Sequence, residues 1–420
     1  MQPPPQLDPA LPALPLAFAF EAVAQQLEKA LEAAEGRPIT VTRARPLDVK
    51  YEPGVRCLVA YGLVIGGVPR ETIGVVEVDR AGARARLLHE DAALPGLGPA
   101  LDAEVMRARF AALQGGAIAT DSIRECAIAT VRYKPNVSCV LRYRITAVGG
   151  EASVFGKLVA GRARELASTL AGLETVSGSE PLMPRIPTLV GFWPDLELVA
   201  QLAAPGQSLG TAIFDRGSRA AVRRRLMRRA GHALGAFHTC VDAPAARRTL
   251  SDDLVELQGY RELFVRLAAE LAGSFDHSVD ALATLARDLP EPAAVASHGA
   301  LRTGHYLVGR SDMALIDLDG FCSANAARDV GNLLAYLDWL TIRNPNAASL
   351  VKEAERDFLA GYEAVAKLPT DWLPIYRTAS MLKIAGRRLR SLSFDEWGLL
   401  PALLGCARSS LAMSPQGSMP

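Results

Sequence analysis

The chain lacks most of the features that would place it at a glance. Its six cysteines (Cys57, Cys126, Cys139, Cys240, Cys322 and Cys406) are scattered and form no C-x-x-C pair. That pattern argues against a zinc ribbon and a disulfide framework, and leads us to expect a reducing, cytoplasmic setting. The start, Met1-Gln-Pro-Pro-Pro-Gln6, lacks the basic segment of a secretory signal. The apolar run Leu11 to Phe20 holds two prolines and is too short to span a bilayer. Net charge is +1, so neither a basic footprint nor an acidic tail is present. No nucleic-acid or membrane partner is therefore expected. A glycine-rich phosphate loop of the G-x-G-x-x-G kind is also missing from residues 116–205.

What remains is globular composition over 420 residues, enough for two to three domain-sized units. Residues 1–15 read as a disordered, proline-rich lead, and the tail after Met413 as similarly loose. Phe18 to Glu35 has helical periodicity, closed by Gly36. Strand-like text follows at 39–42, 49–51 and 57–65, with a Gly66-Gly67 turn into 72–78. Leu101 to Leu113 returns to helix. Val49-Lys-Tyr-Glu-Pro-Gly-Val-Arg-Cys-Leu-Val-Ala-Tyr61 then aligns with Val131-Arg-Tyr-Lys-Pro-Asn-Val-Ser-Cys-Val-Leu-Arg-Tyr143. Either two hairpins share turn chemistry by chance, or a strand–turn–strand unit is duplicated. Two copies are too few for a solenoid.

Further on, 151–159 is a strand carrying Lys157 in an apolar setting, and 162–173 is helical with Glu165 near its start. Residues 196–202 form another apolar strand, followed by long helices over 218–240 and 254–289. After residue 327 the text is helical, with breaks at Asn344-Pro345 and Leu368-Pro369. A β-rich first half and a helix-rich second half imply an α+β layout with a cleft between lobes.

The most informative stretch is Ser297-His-Gly-Ala300-Leu-Arg302-Thr-Gly-His305-Tyr-Leu307, followed by Leu315-Ile-Asp317-Leu-Asp319-Gly320. Asp317 closes an apolar strand, where a carboxylate is costly without a partner. Mg²⁺ prefers such hard oxygen donors. Asp319 could join it or be a turn residue beside Gly320. Imidazole suits transition metals better than Mg²⁺, so His305 is a poor magnesium ligand.

In order and spacing these segments resemble the aminoglycoside phosphotransferase/choline kinase-like family, over roughly residues 130–392. Phe155-Gly-Lys157-Leu is similar to the strand with the phosphate-binding lysine. Leu198 to Leu209, with its Pro205-Gly206 turn, is similar to the hinge strand that holds Gln201. Ala233 to His238, Ala327-Arg-Asp329-Val-Gly-Asn-Leu-Leu-Ala335 and Phe358 to Glu363 fit later family helices. Ser297 to Leu307 matches the catalytic loop, and Leu315-Ile-Asp317 the metal strand.

The resemblance implies a bilobal protein-kinase-like fold with a β-rich N-lobe, a helical C-lobe and an extra N-terminal α/β cap. The divisions expected are a lead at 1–15, the cap at 16–115, the N-lobe at 116–205 and the C-lobe at 206–412. It implies ATP and Mg²⁺ as cofactors. Lys157, with Glu165 or Glu174 as its partner, and Gln201 would meet the nucleotide; Asp317 and Asp319 would meet the metal. Asp329 is expected to cap its helix and brace the loop.

The departures are equally specific. Where the family carries an Asp base stands Ala300, and where it carries an Asn metal ligand stands His305. Such an Ala is either natural divergence or an introduced change. Arg302, pointing into the cleft, either binds an anionic group or pairs with a helix carboxylate. His305 either substitutes as a base or is a divergent loop residue. Two functions therefore stay open. One is a phosphotransferase, impaired at its base, acting on a sugar, amino alcohol or aminoglycoside. The other is a pseudokinase serving as a nucleotide- or ligand-binding regulatory or scaffold module, for which a protein partner is an option. Asp252, Asp253, Glu256, Glu262 and Glu270 would suit a cationic acceptor.

Overall fold

A computed structural model describes residues 7–66, 68–113, 123–215, 217–310 and 312–412. Residues 1–6 of the expected lead, Gly67 of the expected turn and the tail 413–420 lie outside the described residues. The chain divides into two compact units. The first holds residues up to 168, with 188–203 and 390–394; the second holds 169–187, 204–389 and the rest.

The first unit contains two antiparallel sheets. One runs β1 (Val41–Glu52), β2 (Arg56–Ile65), β3 (Val68–Asp79), β4 (Gly82–Leu87) in sequential order. The other has five strands in the order β5-β6-β7-β9-β8: β5 (Ile123–Lys134), β6 (Ser138–Ala147), β7 (Gly150–Val159), β8 (Leu189–Trp193) and β9 (Leu198–Leu202). One apolar core runs through both, joining Leu58, Ala60 and Val75 to Leu94, Leu97, Phe110, Tyr143 and Leu198. Hence the stretches expected as cap and N-lobe share a core within one unit.

The hairpin repeat read in the sequence extends back through a matching lead-in in each copy. In both copies a buried aspartate sits under the hairpin tip. Asp8 accepts from the Tyr51 hydroxyl and the Gly54 N–H, each at 2.7 Å. Asp91 accepts from the Tyr133 hydroxyl at 2.6 Å and the Asn136 N–H at 2.8 Å. Gly54 (φ 68°) and Asn136 (φ 61°) are both left-handed and follow a proline. Proline then a positive-φ residue is the composition of a type II turn, and Gly and Asn enter that region most cheaply.

The lead-in repeats as well: Asp8-x-Ala-Leu-Pro-x-Leu14 matches Asp91-x-Ala-Leu-Pro-x-Leu97. Tyr61 donates to Ala17 O just as Tyr143 donates to Ala100 O. A helix follows each lead-in, Phe20–Glu35 in one copy and Ala103–Ala111 in the other. Burial pushes the thiols at the equivalent positions Cys57 and Cys139 up to about 12, so they act as apolar packing rather than as nucleophiles. The lead expected to be disordered is thus folded from Asp8 onward, with Leu11 and Leu14 fully buried. Its prolines shape a tight lead-in whose leucines the core needs.

The second unit is mainly helical. Helix Ala220–Cys240 lies against Ala348–Glu363 with almost no side-chain spacer. A Cβ on Gly231 would sit 2.0 Å from Phe358 O, and one on Gly361 2.0 Å from Arg228 O. The single helix expected over 254–289 is two, Leu250–Leu267 and Ala269–Arg287, broken at Ala268 (φ −152°, ψ 55°). The pair folds back so that the Phe264 and Phe275 rings stack at 4.2 Å. Among the described residues no helix is long and apolar enough to cross a membrane.

Candidate active site

The loop 297–305 and the strand end at 317 lie together in the second unit, held by backbone before any functional side chain is considered. Strand Val295–Ser297 pairs antiparallel with Cys322–Ala324, and Tyr306–Val308 with Met313–Leu315. His298 Nε2 meets Ile316 O at 2.9 Å, and the Ile316 N–H donates to His305 O at 3.0 Å. Gly299 (φ 82°) comes so close that a Cβ there would lie 2.0 Å from Gly320 O. Only glycine fits this contact.

One carboxylate fixes the loop. Asp329 is fully buried and accepts from Ser297 Oγ (2.9 Å), His298 N (2.6 Å) and Gly299 N (2.9 Å), with His238 Nε2 at 3.2 Å. Burial alone would raise its pKa; the hydrogen bonds and charge of its surroundings, His238 foremost, hold it down at about 2. His238 is itself placed by Tyr362 Oη at 2.9 Å. Asp329 lies in the first turn of helix Ala327–Arg343 and does not cap it; Asn325 Oδ1 takes the Ala327 N–H. One turn on, Asn332 Nδ2 donates to Leu301 O at 2.7 Å. Seven residues past Asp329, Tyr336 lies under the Arg302 guanidinium, 5.1 Å from ring centroid to Cζ. Asp329, Asn332 and Tyr336 share one helix face and carry the loop between them.

Ala300 is exposed and offers only a methyl. His305 is buried, stacked on His298 at 4.9 Å with an 11° interplanar angle. Its Nε2 receives Arg302 Nε at 3.2 Å and Nη2 at 2.9 Å, and lies 3.6 Å from Asp317 Oδ2. A guanidinium only donates, so this nitrogen carries the lone pair and the ring proton sits on Nδ1. Arg302 pairs with no carboxylate among the described residues; the expected alternative of a helix salt bridge is not what forms.

Asp317 lies two residues past the end of its strand in a left-handed conformation (φ 64°, ψ 50°), its side chain 36% exposed. Asp319 is on the turn Leu318–Gly320. Two carboxylates at an open corner fit Mg²⁺, which keeps several of its waters. No group of three or more His, Cys, Asp or Glu gathers among the described residues, so no closed protein cage is present.

In the first unit, Lys157 is half-buried on the interior strand β7, paired between Val140 of β6 and Val199 of β9. It is not an edge lysine. Gln201 is on β9, opposite Phe155 and Leu189. Glu165 is exposed and pairs with Arg162 at 3.3 Å instead of with Lys157.

A model of the phosphotransferase enzyme family matches residues 198–368, a span that holds the hinge strand, the loop and Asp317. This stretch is similar in sequence to that family. Three solved structures show the same protein-kinase-like fold. An amicoumacin kinase in complex with AMP-PNP, Ca²⁺ and Ami is 18% identical and covers 69% of this chain and 90% of its own, with a TM-score of 0.50. The apo form of a thermostable mutant of aminoglycoside phosphotransferase APH(4)-Ia is 14% identical over 70% and 96%, also at 0.50. A choline kinase from Cryptosporidium parvum is 12% identical over 73% and 94%, again at 0.50. No curated protein matches the sequence.

Within the matched stretch four of the five acidic residues expected to greet a cation, all but Glu270, are already engaged. Asp253 takes Arg248 (3.0 Å), Lys383 (2.7 Å) and Arg328. Glu256 takes Lys383 (3.1 Å), Arg387 (3.3 Å) and Arg248, and is held down at about 2 against the push of burial by Lys383 and Arg387. Glu262 pairs with Arg266, and Asp252 caps Thr249. Sequence reading found these carboxylates but not their partners, because Lys383 and Arg387 lie far along the chain on helix Leu373–Arg390.

Proposed function

We propose that the protein is an ATP-dependent phosphotransferase acting on the hydroxyl of a small molecule, through a loop without a carboxylate base. The observation that carries this reading is the Asp329 bracket. A fully buried carboxylate with four polar partners shapes exposed Ala300 and lays the loop beside Asp317. In this reading Lys157 binds nucleotide phosphate, and Gln201 belongs to the hinge strand that meets the base. Asp317, with Asp319, holds Mg²⁺, which would neutralise charge on the phosphates. Phosphoryl transfer passes through a loose transition state, so positioning and charge stabilisation carry much of the rate. Loss of the base slows transfer by roughly 10²–10⁴.

A second reading, a nucleotide-binding pseudokinase, is favoured by the side chains themselves: Ala300 cannot accept a proton, and His305 Nε2 is taken up by Arg302. Calorimetric titration with ATP, with and without Mg²⁺, beside Asp317→Asn, tests the nucleotide site. Mg²⁺-dependent binding lost in the variant supports it, and no binding at millimolar ATP sinks both readings. Ala300→Asp then separates them. A hundredfold gain in turnover of a screened acceptor supports the transferase, whereas ATP binding with no turnover in either protein supports the pseudokinase.

A further inference from the structure

In the ion-pair network packed behind the loop, cations outnumber the carboxylates that hold them. Asp253 and Glu256 receive four cations, Arg248, Arg328, Lys383 and Arg387. Arg302, half-buried, adds a fifth with no carboxylate of its own. A charge withdrawn from water is costly unless an opposite charge compensates it. The network is sealed in the middle, where the Asp253, Arg328 and Lys383 side chains are 2%, 7% and 7% exposed, and opens at Arg248, 38% exposed, and on the loop side at Arg387, 34% exposed. At that open end Arg387 makes long contacts, 3.4 Å to Tyr336 Oη and 3.3 Å to Glu256. Arg302 covers the face of the same Tyr336 ring. Two guanidiniums thus converge on one phenol, on the helix face that also holds the Ala300 loop through Asp329 and Asn332. The Tyr336 pKa is lowered: burial works to raise it, and Arg387 followed by Arg302 outweigh burial.

We propose that Arg302, Tyr336 and Arg387 form a subsite for an oxyanion, a carboxylate or a phosphate ester, carried by the small molecule whose hydroxyl is phosphorylated. What the subsite serves rests on the phosphotransferase reading; that it binds an oxyanion does not. Guanidiniums match both anions with paired N–H donors, and the Tyr336 hydroxyl supplies a third. The acceptor class is then a hydroxy acid or a sugar phosphate rather than an amine, because an ammonium group would meet cations whose carboxylate partners are already engaged.

The experiment is ligand-observed NMR titration of the full chain, without nucleotide, with glycerate, glycerol 3-phosphate, glycerol and ethanolamine. At least one anion binds about tenfold or more tightly than glycerol and ethanolamine, and the tighter of the two anions tells carboxylate from phosphate. Arg302→Gln and Arg387→Gln each remove most of that preference while circular dichroism stays native. Arg302→Gln is the safer variant, since Arg302 takes no part in the carboxylate network. Anions binding no tighter than glycerol overturn the proposal on the unmodified protein alone. So does an Arg302→Gln variant that loses Mg·ATP but keeps glycerate, which would place Arg302 on the nucleotide. The failures are separable: anion preference without ATP binding removes the transferase reading and leaves the subsite, and ATP binding without anion preference does the reverse.

Discussion

The two copies inside the first unit differ where chemistry would be done and agree where folding is done. Both keep the buried aspartate, the tip tyrosine, the left-handed turn residue and the second tyrosine that reaches back to the lead-in. They part on the third strand. Register places Leu58 opposite Glu77 in the first copy and Val140 opposite Lys157 in the second. Glu77 is held by Arg84 at 3.1 Å, with Arg56 at 4.0 Å. The same scaffold therefore accepts a carboxylate or an ammonium at this point. A residue the fold does not specify is one that function is free to choose, which sets Lys157 apart from its surroundings.

The comparison breaks first if the aspartates are not equivalent. Asp8→Ala and Asp91→Ala each orphan a buried tyrosine hydroxyl and a backbone N–H, costing about 3 kcal/mol apiece in urea unfolding. Widely different costs would mean that one copy no longer depends on the bracket. Next in size is the acid limb set by Asp329. Its folded pKa lies below its unfolded value of 3.8, so its contribution is present above about pH 4 and lost as pH falls toward 2. That amounts to about 2 kcal/mol of acid sensitivity, and Asp329→Asn removes it from the stability–pH curve. Glu77→Lys then faces Arg84 and Arg56 with a like charge and costs about 1 kcal/mol by thermal melting. Smallest in stability is Lys157→Met, within about 0.5 kcal/mol, yet it weakens Mg·ATP binding by about tenfold or more in calorimetry. A Lys157→Met protein that binds ATP normally would remove the distinction between the copies.

The sequence displayed one layer of this organisation and hid another. The repeated Val-x-Tyr-x-Pro hairpins were legible because their matching residues are contiguous. Asp8 was not, because the prolines and alanines around it read as disorder until the leucines between are seen to fill a core, and Asp91 lies in a stretch with no periodic signal of its own. The loop was legible from its glycines and histidines and from Asp317. Its electrostatics were not: Arg302, Tyr336 and Arg387 come from three distant segments, and only packing brings them to one place. The break at Ala268 was equally invisible, since no glycine or proline marks it and the Phe264–Phe275 stack decides it.

The clash that any side chain at position 299 would suffer against Gly320 O has an evolutionary reading. Backbone shape at the loop is secured by residues other than those that would act on a substrate. Exposed position 300 can therefore be exchanged without rebuilding anything beneath it. Such a loop behaves as a socket, and a single substitution at exposed Ala300 would return a carboxylate to a seat already cut for one. A loop with a carboxylate base and a loop without one would then lie one mutational step apart.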